Sequence, residues 1–97
     1  MAIFIILGRY TQEGITKIKE TPQQFEAAKK VAESIGGSIK EFYYTMGRYD
    51  FVSIIEAPNY EAMMKGLLTV GGTGVIRTET LQAIPIEKAE DIIKDLP

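Results

Sequence analysis

The stretch SIKEFYYTMGRYDFVSIIEA, running from Ser38 to Ala57, decides the fold. Ser38 to Thr45 is dense in aromatic side chains, and Asp50 to Ala57 carries Phe51, Val52, Ile54 and Ile55, so each half reads as a strand. Met46-Gly47-Arg48 is the turn between them, short enough to make the pair an antiparallel hairpin. Phe42-Tyr43-Tyr44 must divide their rings between the two sheet faces, as packing and interface residues with one end buried and the other wet.

Outward from the hairpin, both flanks are helical. Upstream, Thr21-Pro22-Gln23-Gln24 predicts a helix start, with Thr21 as N-cap, Pro22 at the first helical position and Gln24 at the capping-box position. Phe25, Ala28, Val31, Ala32 and Ile35 follow on one face, and Gly36-Gly37 stops the helix. Downstream, Pro58 ends the strand and Asn59 caps a helix whose apolar face is Tyr60, Met63, Met64, Leu67 and Leu68, broken at Gly71-Gly72-Thr73-Gly74. At the chain start, residues 2–10 form a strand that is apolar on both parities, hence central in its sheet. Thr11 to Glu20 is a polar connection, irregular or one helical turn, interrupted at Gly14. Val75 to Ile84 is a fourth strand, and after Pro85 the 3-4-3 spacing of Ile86, Ala89, Ile93 and Leu96 predicts a last amphipathic helix.

The resulting order is β-α-β-β-α-β plus a C-terminal helix: an α+β, ferredoxin-like fold, in which a four-stranded antiparallel sheet carries two helices on one face. Residues 1–85 form the domain and residues 86–97 a C-terminal amphipathic helical extension. The uncovered sheet face is too apolar for water, so a second copy is expected to cover it in a homodimer or higher oligomer with two-fold symmetry. The terminal helix is too short to stand alone, so it is expected to pack on a neighbouring subunit, with its own subunit as the rival surface.

Composition removes whole classes of chemistry. The 97 residues contain no His and no Cys, which excludes histidine-based triads, thiolate or imidazole zinc sites, disulfides and histidine-ligated haem. Eleven basic and thirteen acidic residues are interspersed, unlike a nucleic-acid footprint. Ala2 to Leu7 is too short for a membrane span and reads as a strand rather than a signal peptide, so the cytoplasm is the default compartment and no membrane partner is expected. Gly71-Gly72-Thr73-Gly74 follows a helix instead of preceding one and lacks a Lys-Ser/Thr, so it is no phosphate loop; the carboxylates lack calcium-loop spacing, and neither a metal nor a cofactor is expected.

Tyr10-Thr11 with Gly14, then Gly47-Arg48-Tyr49-Asp50 and Glu56-Ala57-Pro58, then Gly74-Val75 with Arg77-Thr78 and Thr80-Leu81, resemble the GYD-domain family. The resemblance runs from about Ile3 to Ile84 and implies a dimeric α/β barrel. Gln24 departs from it, since many members carry Arg there. The family has no established activity, whereas its barrel relatives include cofactor-independent monooxygenases, isomerases and effector-binding modules. Fold is therefore implied more sharply than function.

In Gly47-x-Tyr49-Asp50 the structural roles are a positive φ at glycine, packing by Tyr49 and acceptance of backbone N–H groups by Asp50. The functional roles are Tyr49 as donor and Asp50 as base or orienter at a pocket mouth. Arg77 and Glu79 share one face of the fourth strand, either as an exposed ion pair or with Arg77 inside the barrel clamping an anion. Glu56 is a partner for Arg9 or Arg77 and a further candidate base. The catalytic candidates are thus Asp50, Tyr49 and Glu56, and the ligand-binding candidates are Arg9, Tyr10, Tyr49 and Arg77. The expected function is small-molecule binding by a homo-oligomeric barrel, with the cleft between sheet and helices or the barrel interior as the pocket. The alternatives are a cofactor-independent isomerase or monooxygenase acting on a small carbonyl or phenolic compound, and a purely structural assembly subunit. Whether the protein is an enzyme stays open.

Overall fold

The computed structural model describes residues 1–97. In chain order the elements are β1 (Ala2–Tyr10), α1 (Gln12–Thr16), a 3₁₀ turn (Ile18–Glu20), α2 (Thr21–Ser34), β2 (Ser38–Tyr44), β3 (Phe51–Ala57), α3 (Tyr60–Gly71), β4 (Ile76–Ala83) and α4 (Ile86–Lys94). The strands make one antiparallel sheet in the order β2-β3-β1-β4. This is the ferredoxin-like α+β arrangement, with the two strands that are apolar on both parities in the middle.

Register assigns the faces. Phe4 and Ile6 of β1 pair with Ile55 and Ser53 of β3 and point towards the helices, where they meet Phe51, Ala57 and Met63 in the buried core. Ala2, Ile35, Phe42, Leu67 and Ile76 pack around that cluster. The opposite parity, Ile3, Ile5 and Leu7 with Val52 and Ile54, is only half-buried, and Leu81 beside it is exposed. Full burial of an aliphatic or aromatic side chain stabilises by about 1.5–3 kcal/mol, so this face retains much of its driving force for covering.

Local starts and stops follow the sequence with two corrections. Asn59 caps α3, its Oδ1 accepting from the Ala62 N–H at 2.8 Å. Thr21, expected as the cap of α2, is instead its first residue; Glu20 sits at the cap without a side-chain hydrogen bond. The cause is visible on both sides of the junction. The 3₁₀ turn delivers Glu20 already in helical backbone, and the buried Thr21 hydroxyl accepts from Tyr44 Oη at 3.0 Å. Gln24 is thereby released from any capping box.

The second correction concerns α3. Of the residues expected on one apolar face, Met63 is buried and Leu67 partly so, while Tyr60, Met64 and Leu68 are 67%, 54% and 69% exposed. Those five positions span a wider arc than one sheet contact covers, so the i, i+4, i+8 row is left outside. The stripe residues Ile86 and Ile93 of α4, and Leu96 just beyond its end, are likewise exposed.

Candidate functional site

The sequence-selected residues gather mainly where β1, the hairpin loop and β4 meet. Gly47 gives the loop its turn with φ of 107°, and Thr45 N–H donates to Asp50 C=O at 2.8 Å to close it. Asp50 lies just before β3 and locks the loop onto β1: its N–H donates to Gly8 C=O at 2.8 Å, and its Oδ2 accepts the Tyr10 backbone N–H at 2.9 Å. Arg48 C=O accepts from Arg9 Nε at 2.9 Å. Tyr49 turns to the open sheet face, where Arg9 stacks 5.0 Å from its ring centroid and its hydroxyl donates to Glu79 Oε2 at 3.0 Å.

Arg77 lies opposite Arg9 across the β1–β4 ladder. Arg9, Tyr49, Arg77 and Glu79 thus line one shallow depression of about 470 Å³. Arg77 makes no ion pair with Glu79, whose carboxylate takes the Tyr49 hydroxyl instead. Glu56 is not part of this group. It lies opposite Ile3 at the other end of β1, six residues or about 20 Å from Arg9, and its carboxylate is 4.0 Å from Lys40 Nζ.

The third family segment is a docking joint. Thr11 N–H donates to Val75 C=O at 3.0 Å, Thr11 Oγ1 donates to Gly74 C=O at 2.7 Å, and the same hydroxyl accepts the Gly14 N–H at 3.1 Å. At Gly14 a Cβ would lie 2.0 Å from Val75 C=O, so only glycine lets α1 approach the start of β4.

On the other face, between the sheet and α2 and α3, opens a cleft of about 280 Å³. Its walls are the α2 face read from the sequence, including Phe25, Ala28 and Val31, against Phe42 and Ile55 of the sheet and Leu67 of α3. Phe42 is fixed by stacking on Phe51 at 5.1 Å and by an edge contact with Phe25 at 4.9 Å. Tyr10, Tyr44, Thr21 and Gln24 also line the cleft, with Tyr44 Oη donating to Thr21 Oγ1. Burial, then the neighbouring Tyr44 hydroxyl, then the Asp50 carboxylate raise the Tyr10 pKa far above the ordinary tyrosine value, so Tyr10 is a neutral donor.

Tyr10 is therefore the one sequence-selected residue that lines the cleft. The sequence alone points Thr21 and Gln24 to capping and Tyr44 to packing at an interface. The available signal was parity: Phe42 and Tyr44 are two apart on β2, so both rings follow Phe51 to the helix side.

A βαββαβ sheet with helices on one face, an uncovered apolar face and a cleft beneath the helices defines the class, a ferredoxin-like α+β domain. The GYD domain model matches residues 4–93, and the chain belongs to the GYD-domain family. It is similar to the Thermus thermophilus "Glutamine synthetase and cystathionine beta-lyase binding protein", with 29% identity over 87 residues, 89% of this chain and 92% of that protein. Among solved structures, MtbAldR superposes with a TM-score of 0.68 at 14% identity, covering 87% of this chain and 52% of that one, so the chain spans about half its length. FFRP-DM1 superposes with a TM-score of 0.59 at 20% identity, covering 87% of this chain and all of that one (100%). At such identities the solved structures establish the fold alone. No helix is long and apolar enough to cross a membrane.

Proposed function

We propose that this GYD-domain protein is a homo-oligomeric binding protein that takes a small molecule into the cleft between its helices and sheet. The observation that carries this reading is the cleft itself: about 280 Å³, largely apolar, with hydroxyl and amide groups among its lining. That combination of apolar walls and a few orienting polar groups is the usual make-up of a small-molecule site. Catalysis has less support, because the Asp50 carboxylate is engaged by the Tyr10 backbone N–H and the Tyr49 hydroxyl by Glu79. Self-association rests on the half-covered Ile3, Ile5, Leu7, Val52 and Ile54 face, which two copies would bury against each other.

A second reading is favoured by a different surface. The exposed row Tyr60, Met64 and Leu68 on α3 offers an apolar seam for a helix of another protein. The Thermus relative carries the name of a protein that binds two enzymes, and in this reading the α3 row is the surface by which this chain holds a partner protein.

Sedimentation of the purified protein, combined with mass spectrometry of what it releases on denaturation, tests the first reading. A native mass of at least two chains, reduced to one chain by Ile54→Asp, and a stoichiometric bound metabolite are expected. A well-folded monomer at micromolar concentration removes the barrel, and failure to retain or bind any small molecule removes the cleft function.

A further inference from the structure

Resting on that reading of the cleft, we infer that its ligand is an uncharged molecule with a flat apolar body and one hydrogen-bonding head, seated among Tyr10, Thr21, Gln24 and Tyr44. None of the residues lining the cleft carries a formal charge. Lys29, which lies over the ring of the lining residue Phe25 at 5.7 Å, is 3.9 Å from Glu26 and is itself outside the lining. A carboxylate, phosphate or ammonium entering the cleft would lose water and meet no counter-charge, which is prohibitive in an apolar pocket. Amino acids, nucleotides and sugar phosphates are therefore poor fits.

The polar groups determine the head. Tyr44 has spent its proton on Thr21, which leaves the Thr21 hydroxyl proton for another acceptor. The Gln24 amide makes no hydrogen bond to the protein's other side chains and lines the cleft with both a donor and an acceptor. A hydroxyl or carbonyl oxygen is the group these donors fit. Phe25, Phe42 and Phe51 supply ring faces along the lining, and stacked or edge contacts with them favour a planar body.

Three probes that share one apolar body and differ only in the head test this: 2-naphthol, naphthalene and 2-naphthoate. Each is titrated into the isotope-labelled full chain, and amide shifts are followed by NMR. Naphthol is expected to move the amides of Ala28, Val31 and Gly66, with naphthalene about tenfold weaker for want of the head hydrogen bond. Naphthoate is expected to bind at least about a hundredfold more weakly than naphthol. Tyr44→Phe, at a position 58% exposed and so tolerant of the change, should weaken naphthol about fivefold by disturbing the hydroxyl pair while leaving naphthalene unaffected. Naphthoate binding in the cleft as tightly as naphthol, or naphthalene matching naphthol, overturns the ligand class and leaves the cleft as a site. Silence from all three probes overturns the small-molecule reading as well. Concentration-dependent shifts shared by the cleft and α4 would make the terminal helix of a second copy the occupant, and would overturn the inference in that way.

Discussion

Replacing Asp50 by Ala separates the scaffold role of the Gly-Tyr-Asp turn from any chemistry. Three hydrogen bonds converge on this residue, but only one uses its side chain: Oδ2 accepting the part-buried Tyr10 backbone N–H at 2.9 Å. A hydrogen bond to a charged acceptor contributes about 1.5–3 kcal/mol, and partial exposure puts this one near the lower end. A loss of about 1.5 kcal/mol corresponds to a fall in Tm of roughly 6–12 °C for a domain of this size. Asp50→Asn keeps an acceptor oxygen and should lose about half as much. Because the Asp50 carboxylate also helps to hold the Tyr10 proton, both variants should bring Tyr10 ionisation to lower pH. The measurement is thermal unfolding by circular dichroism at one fixed chain concentration, with tyrosinate absorbance followed in an alkaline titration. A wild-type Tm in Asp50→Ala together with abolished naphthol binding would refute the scaffold role and return Asp50 to the site.

Gly14→Ala should destabilise by more than about 2 kcal/mol, because its Cβ would meet the Val75 carbonyl oxygen at 2.0 Å and neither backbone can yield without unseating the α1–β4 joint; an unfolding curve matching wild type would remove that joint from the account. Stability should fall as pH rises above about 10, the ordinary tyrosine value, since the unfolded chain then loses the proton that folded Tyr10 retains. Below that pH both states are protonated and the contribution is whole; Tyr43, raised by its hydrogen bond to Glu41, acts with the same sign. Chemical denaturation at stepped alkaline pH should therefore show a shallower decline in Tyr10→Phe than in wild type, and parallel declines would contradict the burial of Tyr10.

The fold was legible because each element carried its own punctuation. Residues 2–10 are apolar on both parities, and β1 is central; Asn59 is the one asparagine, and it caps α3. What was not legible required a second element. Thr21 followed by Pro22 satisfies every local rule for a cap, but its hydroxyl is claimed by Tyr44 from across the sheet–helix gap. Tyr60, Met64 and Leu68 have the spacing of buried residues, but α3 turns Gly66 and Met63 inward, with Gly66 close to Val31 of α2 and to Ile35 at its C-cap, and leaves that row outside. The site residues divide in the same way. The register of β1 and β4 brings Arg9 opposite Arg77, and the hairpin loop locked onto β1 adds Tyr49, pairings that alternation along one strand cannot specify.

The family signature has a physical meaning that redirects the search for function. Asp50 is committed to the Tyr10 backbone, Tyr49 to Arg9 and Glu79, Thr11 and Gly14 to Gly74 and Val75. Each commitment fixes the same end of β1, against the hairpin or against the start of β4, and together they brace that end of the sheet. A motif whose side chains are occupied in this way can recur in proteins that bind different molecules, because Thr11, Gly14, Gly47, Tyr49 and Asp50 brace the sheet and lie outside the cleft lining. The walls come from α2, β2 and α3, whose facing residues, such as Ala28, Val31, Phe42 and Leu67, are under no such backbone constraint. Substitutions there alter the volume and polarity of the cleft without touching the joints, so under the proposed reading those positions, with Thr21, Gln24 and Tyr44, select the ligand and the Gly-Tyr-Asp turn does not.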